Sequence, residues 1–170
     1  SGAKFDFEKA KWFNHEWIKN YDSRMLAPMV QQVFTQNGIL VQDSDQLLHI
    51  ITLVKDRCTL LPDFVQQAGY FFKAPDIAAI QPKWDDRKNM FFIELMRAYE
   101  LQQLWQAEEL EKTFKEISAA HHLKPGELLL PLRIMLVGGK FGPGVFEIAG
   151  ILGKASTLHR IRHTLQLLEH

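Results

Sequence analysis

Residues able to do chemistry are sparse in this chain, and most arrangements of them fail on inspection. The glycine-rich stretch near the C-terminus suggests a phosphate cradle. A Walker loop needs Gly, four residues, then Gly-Lys-Ser/Thr. Gly153-Lys154 has Ile148 in place of the first glycine and Ala155 in place of the hydroxyl, with no strand pattern ahead to launch the loop. His121-His122 cannot easily share a metal, because neighbours on a helix point about 100° apart. A solvated helix C-terminus suits them better. Cys58 has no partner for a disulfide and lies in the apolar run Arg57-Cys58-Thr59-Leu60-Leu61, which reads as a small buried hydrophobe rather than a nucleophile. Glu108, Glu109 and Glu111 read as a wet face. No catalytic set emerges.

Composition sets the frame. The chain has 170 residues, 46% hydrophobic and 24% charged, so it can bury a core without disulfides or metal. A lone thiol fits a reducing cytosol. No apolar run approaches the roughly 20 residues that cross a bilayer, and the charged, aromatic start is no signal peptide. The chain begins Ser1-Gly2 without Met, which reads as a piece of a longer protein with a short cloning remnant. Net charge is zero, which argues against a uniformly basic nucleic-acid binder. The charge is uneven, however. Residues 121–170 carry 6 Lys/Arg against 3 Asp/Glu and five of the seven histidines, and could form a local anion-binding face.

The elements that would position these groups are helices. Apolar spacing predicts one over Phe5–Asn20, capped by Asp6, and a second carrying Met25, Met29, Val30 and Val33, stopped by Asn37-Gly38. A third, capped by Asp43 or Ser44, carries Leu47, Ile50, Ile51 and Val54. A fourth starts at Pro62 and ends at Gly69, before Tyr70-Phe71-Phe72. Lys73–Pro82, with its two prolines, reads as a connection. Beyond it, a long helix is expected from Asp85 to Trp105 with Leu101 and Leu104 on its apolar side, then one from Ala107 to His121. Lys124-Pro125-Gly126 reads as a turn. Leu128–Val137 is a buried helix or a strand, which periodicity cannot decide. A short helix over Val145–Leu152 and a last one carrying Leu158, Ile161, Leu165 and Leu168 complete the chain. The expected fold is all-α, in two packed helical subdomains, 1–80 and 81–170. Trp12, Trp17, Phe71 and Phe72 are assigned to the core rather than to stacking surfaces.

Three blocks, in order along the whole chain, carry a resemblance. They are Phe5-Asp6, Lys9, Trp12-Phe13-Asn14 and Trp17-Ile18; Val54-Lys55-Asp56-Arg57, Leu60, Phe64 and Tyr70-Phe71-Phe72; and Lys124-Pro125-Gly126, Pro131-Leu132-Arg133, Gly142-Pro143-Gly144-Val145-Phe146-Glu147-Ile148 and Leu152-Gly153-Lys154. Together they resemble the anticodon-binding region of bacterial glutamyl-tRNA synthetases, the last block most specifically. The resemblance implies a cytoplasmic, monomeric class I parent that joins glutamate to its tRNA with ATP and Mg²⁺. It also implies that this piece, lacking the HIGH and KMSKS motifs, is non-catalytic, with no cofactor or metal of its own. It implies that Arg57 reads the third anticodon base, that Arg133 contacts the anticodon, and that Gly142 and Val145 add contacts. Gly142 has no side chain, so any contact there is through backbone.

The chemistry of RNA recognition suits that implication. Specific recognition targets unstacked loops, a guanidinium offers a planar fork to base edges and phosphates, and side-chain-poor glycine backbone can approach a base closely. Lys140, Lys154, Arg160 and Arg162, with His159 and His163, would supply positive field for the RNA backbone. Plainer readings stand beside it. Arg57 can pair with Asp56, Asp63 or a helix C-terminus. Arg133, inside an apolar stretch, can be a structural arginine holding carbonyls. Arg160 and Arg162 can form an ordinary wet face. The whole chain can equally be an all-helical protein-interaction domain with no RNA role.

Overall fold

Helix caps and apolar spacing give the chain its architecture in the computed structural model, which describes residues 14–77 and 84–169; among them there is no strand. The expected helix cap at Asp6 and the expected core residue Trp12 lie outside the described residues. The chain divides into two units, Ser1–Lys73 and Ala74–His170.

In the first unit, α1 covers residues 14–20, α2 Ser23–Gln36, α3 Ser44–Val54 and α4 Asp63–Ala68. One 3₁₀ turn, Lys55–Arg57, follows α3, and another, Gly69–Phe71, follows α4. Asp22 caps α2 by accepting from the Arg24 amide at 2.8 Å, and the Arg24 guanidinium holds the Asp22 carboxyl below the usual carboxylate range. Asp43, the first of the two expected residues, caps α3 through the amides of Asp45 and Gln46. The α3 stripe is buried as expected: Leu47, Ile50, Ile51 and Val54. In α2 the buried face is Leu26, Val30 and Phe34 instead, and Met25 is exposed. The face carrying the large Phe34 ring packs inward in place of the expected Met25, Met29, Val30 and Val33 stripe. Phe64, Ala68, Tyr70 and Phe71 complete this core, with Phe72 edge-on to Phe34 at 5.6 Å. Trp17, expected in the core, is 43% exposed.

Cys58 is buried, and burial pushes its thiol up from 9.0 to about 12. The sign of the linkage follows. The unfolded thiol ionises near 9.0 and the folded one near 12, so this group's contribution to stability is complete below pH 9.0 and is lost as pH rises towards 12. A thiol reagent at pH 8 should leave the folded chain unlabelled and label it fully in urea. Rapid labelling without denaturant would show that the thiol is not sealed.

In the second unit, α5 covers Asp86–Leu101, α6 Ala107–Ala120, α7 Pro125–Val137, α8 Val145–Leu152 and α9 Lys154–Leu168. α5 packs on α6 and α9, and α8 packs on α6, α7 and α9. At the centre, the Phe114 ring meets Phe91 at 5.1 Å and Phe146 at 5.2 Å, both edge-on. α5 stops at Leu101, short of the expected Trp105, and Leu101 and Leu104 are exposed rather than packed. The chain turns extended at Gln102, Lys154 Nζ donates to the carbonyls of Glu100 and Gln102, and Trp105 swings inward to donate to the Ala149 carbonyl at 2.9 Å. Lys124-Pro125-Gly126 is the opening of α7, with Pro125 in its first turn, rather than a separate turn. The ambiguous Leu128–Val137 stretch is that helix. His121 follows the last residue of α6 and pairs with Glu94 at 2.5 Å. No helix among the described residues is long and apolar enough to cross a membrane.

Candidate nucleic-acid interface

The second unit builds a loop whose shape depends on an arginine and two left-handed glycines. α7 ends at Gly138, where φ is 81° and a Cβ would come within 2.6 Å of the Pro75 side chain, so no other residue fits without movement. The chain then runs Gly139 to Gly144 before α8 begins at Val145. From the preceding turn of α7, Arg133 reaches over this loop. Its Nη1 donates to the Phe141 carbonyl at 3.0 Å and to the Pro143 carbonyl at 2.6 Å. Between those two carbonyls sits Gly142, with φ 105°. A half-buried guanidinium thus binds the residues on either side of Gly142, and charge-assisted bonds of this kind are stronger than neutral ones.

Arg133, Gly142 and Val145 therefore come together in one loop. Arg133 does hold carbonyls, as its plainer reading proposed. Val145 differs from expectation in how it can act. The whole residue is 5% exposed and its side chain belongs to the core, so it anchors the start of α8 rather than presenting a side chain at the surface.

The four expected RNA-backbone cations separate into two kinds. Lys140 is exposed on the loop, and Arg162 is half-exposed beside Glu100 at 3.3 Å. Lys154 is occupied at the end of α5 and lies 5.8 Å from the centroid of the Trp105 ring. Arg160 is 7% exposed and donates to the Leu136 carbonyl at 2.6 Å, near the end of α7. It is a buried clamp, not part of a wet face. Its neighbours on the helix foretell this, since Thr157, three residues before it, and Thr164, four residues after it, share its buried side. His159 and His163 remain exposed, their rings parallel at 6.3 Å.

In the first unit, Arg57 ends the 3₁₀ turn after α3 and is exposed. Among the described residues no hydrogen bond or ion pair holds it. Asp63 does not take it, because its Oδ2 accepts from the Thr59 and Leu60 amides at 2.8 and 2.9 Å. Lys55, two residues earlier, donates to the Tyr21 carbonyl. An exposed, unheld guanidinium on a tight turn is available to a partner.

Residues 23–165 match the family model described as an anticodon binding domain. The chain belongs to that family. Membership implies tRNA binding, and it leaves the protein-interaction alternative without support. The relatives of this anticodon binding domain are named as glutamate–tRNA ligases. That of Porphyromonas gingivalis is 33% identical over 171 residues, covering 99% of this chain and 34% of the relative. That of Phocaeicola vulgatus is 32% identical with the same coverage. Among solved structures, a glutamate tRNA ligase of Elizabethkingia meningosepticum, in complex with its amino acid, superposes with a TM-score of 0.81 at 30% identity, over 94% of this chain and 32% of that one. A glutamate–tRNA synthetase of Elizabethkingia anophelis gives 0.74 at 29%, over 94% of this chain and 31% of that one. The chain thus spans about a third of the length of the relatives it matches. Among the described residues of the domain, no group of three or more His, Cys, Asp or Glu could hold a metal ion.

Proposed function

We propose that this domain reads the anticodon loop of glutamate tRNA on behalf of a cytoplasmic, monomeric glutamate–tRNA ligase. Activation of glutamate with ATP and Mg²⁺ would then fall to the part of the ligase outside this chain. The two units, Ser1–Lys73 and Ala74–His170, act as two anticodon-binding subdomains. Arg57 reads the third anticodon base, and the loop closed by Arg133 presents the backbone of Gly142 to the others, with Val145 anchoring the far end of the loop at the start of α8. Lys140 and Arg162 meet phosphates.

The observation that carries this reading is the loop itself. An arginine fixes a left-handed glycine between two tethered carbonyls, and the next helix begins three residues later at Val145. Backbone held in a defined shape is what recognition of splayed, single-stranded bases requires.

The test is a titration of the chain with glutamate tRNA and with a variant changed only in its anticodon, at two salt concentrations. Salt should weaken both alike, through the phosphate contacts. The anticodon change should add a loss of about 1–3 kcal/mol per read base that persists at both salts. Equal affinity for the two tRNAs at both salts would remove anticodon reading from this chain.

A further inference from the structure

In the first unit an apolar groove of about 290 Å³ is lined by Trp17 and Ile18 of α1 and by Thr59, Leu60, Leu61 and Pro62. That volume lies near the lower end of ligand sites, which span roughly 300–1,000 Å³. Two large side chains in it are conspicuously wet: Trp17 is 43% exposed and Leu60 44%. An exposed indole needs an explanation, because burying it would stabilise the fold.

The groove is firmly built. Tyr21 backs the Trp17 ring, with centroids 4.6 Å apart and planes 30° from parallel, which fixes the indole's attitude. The His15 ring nitrogen Nδ1 bonds the Cys58 carbonyl at 3.0 Å, tying α1 to the facing segment. Asp63 fixes the amides of Thr59 and Leu60, and Lys55 ties its segment to the Tyr21 carbonyl. Arg57 stands two residues before Thr59, so their Cα atoms are no more than about 7.6 Å apart. A site with an aromatic face and apolar walls, two residues along the chain from an exposed and unheld arginine, matches one kind of occupant. A nucleobase has a flat π-face to lay on an indole and a polar edge for an arginine. A purely apolar partner would have no use for the cation.

We propose that Trp17 is the stacking platform for the base whose edge Arg57 reads, with the groove holding that base. This rests on the anticodon reading above and adds a residue to it. The occupant is an unstacked base of a single-stranded tRNA loop, held by its face through Trp17 and by its edge through Arg57.

The experiment is a tRNA titration of the chain and of Trp17→Ala, Trp17→Phe, Trp17→Leu and Arg57→Ala, using glutamate tRNA intact and abasic at the third anticodon position. Melting curves check that each variant is folded. Trp17→Ala should weaken binding of the intact tRNA about fivefold or more. Trp17→Phe should keep most of the affinity, and Trp17→Leu, which keeps the apolar bulk without the ring stack, should behave like Ala. On abasic tRNA all three should bind like the unchanged chain. Should Arg57→Ala weaken binding while every Trp17 variant binds as the unchanged chain does, stacking is overturned and the anticodon reading stands. A Trp17→Ala loss of the same size on intact and abasic tRNA also overturns it, and so does a Leu variant that binds as well as Phe. If the unchanged chain does not distinguish intact from abasic tRNA, the anticodon reading fails and takes this site with it.

Discussion

Replacing Phe114 with alanine should cost the second unit about 3–5 kcal/mol, the range for removing a fully buried phenylalanine. Phe114 has no exposed surface, and its ring is the shared member of two edge-on pairs. Phe91 brings α5 to it and Phe146 brings α8, so the cavity would open where three helices meet. None of these helices can close it by moving alone. Edge-on aromatic pairs also contribute about 0.5–1.5 kcal/mol beyond area burial, so Phe114→Leu should recover much of the packing but not all of the stability. Urea unfolding monitored on the second unit measures the effect. A loss below about 1 kcal/mol would mean that the three rings do not form the centre of this core. There is a functional consequence too. Phe146 follows directly on Val145, where the candidate loop ends, so loosening α8 should also weaken tRNA binding.

Sequence patterns specified most of the helices, because period-3.6 burial and capping are local. The stripe Leu47, Ile50, Ile51 and Val54 with Asp43 ahead of it leaves little choice. What the pattern could not specify depends on contacts distant in the chain. Leu101 and Leu104 continue the α5 spacing and predict a helix through to Trp105. It stops at Leu101, where an ammonium 54 residues from Glu100 takes the last carbonyls and the Trp105 indole finds an acceptor in the Ala149 carbonyl. Leu128–Val137 is apolar apart from Arg133, so no period distinguishes helix from strand there, and the stretch is helix in the structure.

The candidate site shows the same division. That Arg133 and the glycine loop belong together was legible, since they lie within a dozen residues of each other. What the arginine does there was not, because either a base or a carbonyl satisfies a guanidinium. The charge of Arg160 suggests a wet face, but the buried Thr157 and Thr164 on its own side of α9 place it inward. Helical spacing predicts Trp17 in the core, where a large aromatic usually lies, and the groove it lines leaves it 43% exposed. Arg57 looked capable of pairing with Asp63, and only the bonds from Asp63 to two amides show why it does not.

Arg133→Ala should leave the helices intact and lower affinity for glutamate tRNA by about 1–3 kcal/mol. The argument concerns how that loss arises. Nη1 is engaged with the carbonyls of Phe141 and Pro143, so the guanidinium works first on the loop and through it on the RNA. Without it, two carbonyls lose a charged donor, and Gly142, left-handed between them, regains the freedom that glycine has on its own. Arg133→Lys should restore part of the loss, since an ammonium has several donors on one nitrogen, as Nη1 does, but sits one bond closer to the backbone than Nη1. Because the whole loop is loosened, the loss should spread over every anticodon variant, and a double-mutant cycle against any single base should show little coupling. Hydrogen exchange at residues 139–144 should quicken in the free protein. A loss confined to one anticodon base, with exchange unchanged, would instead place Arg133 directly on that base. A folded Arg133→Ala chain that binds tRNA as tightly as the original would remove the loop from recognition.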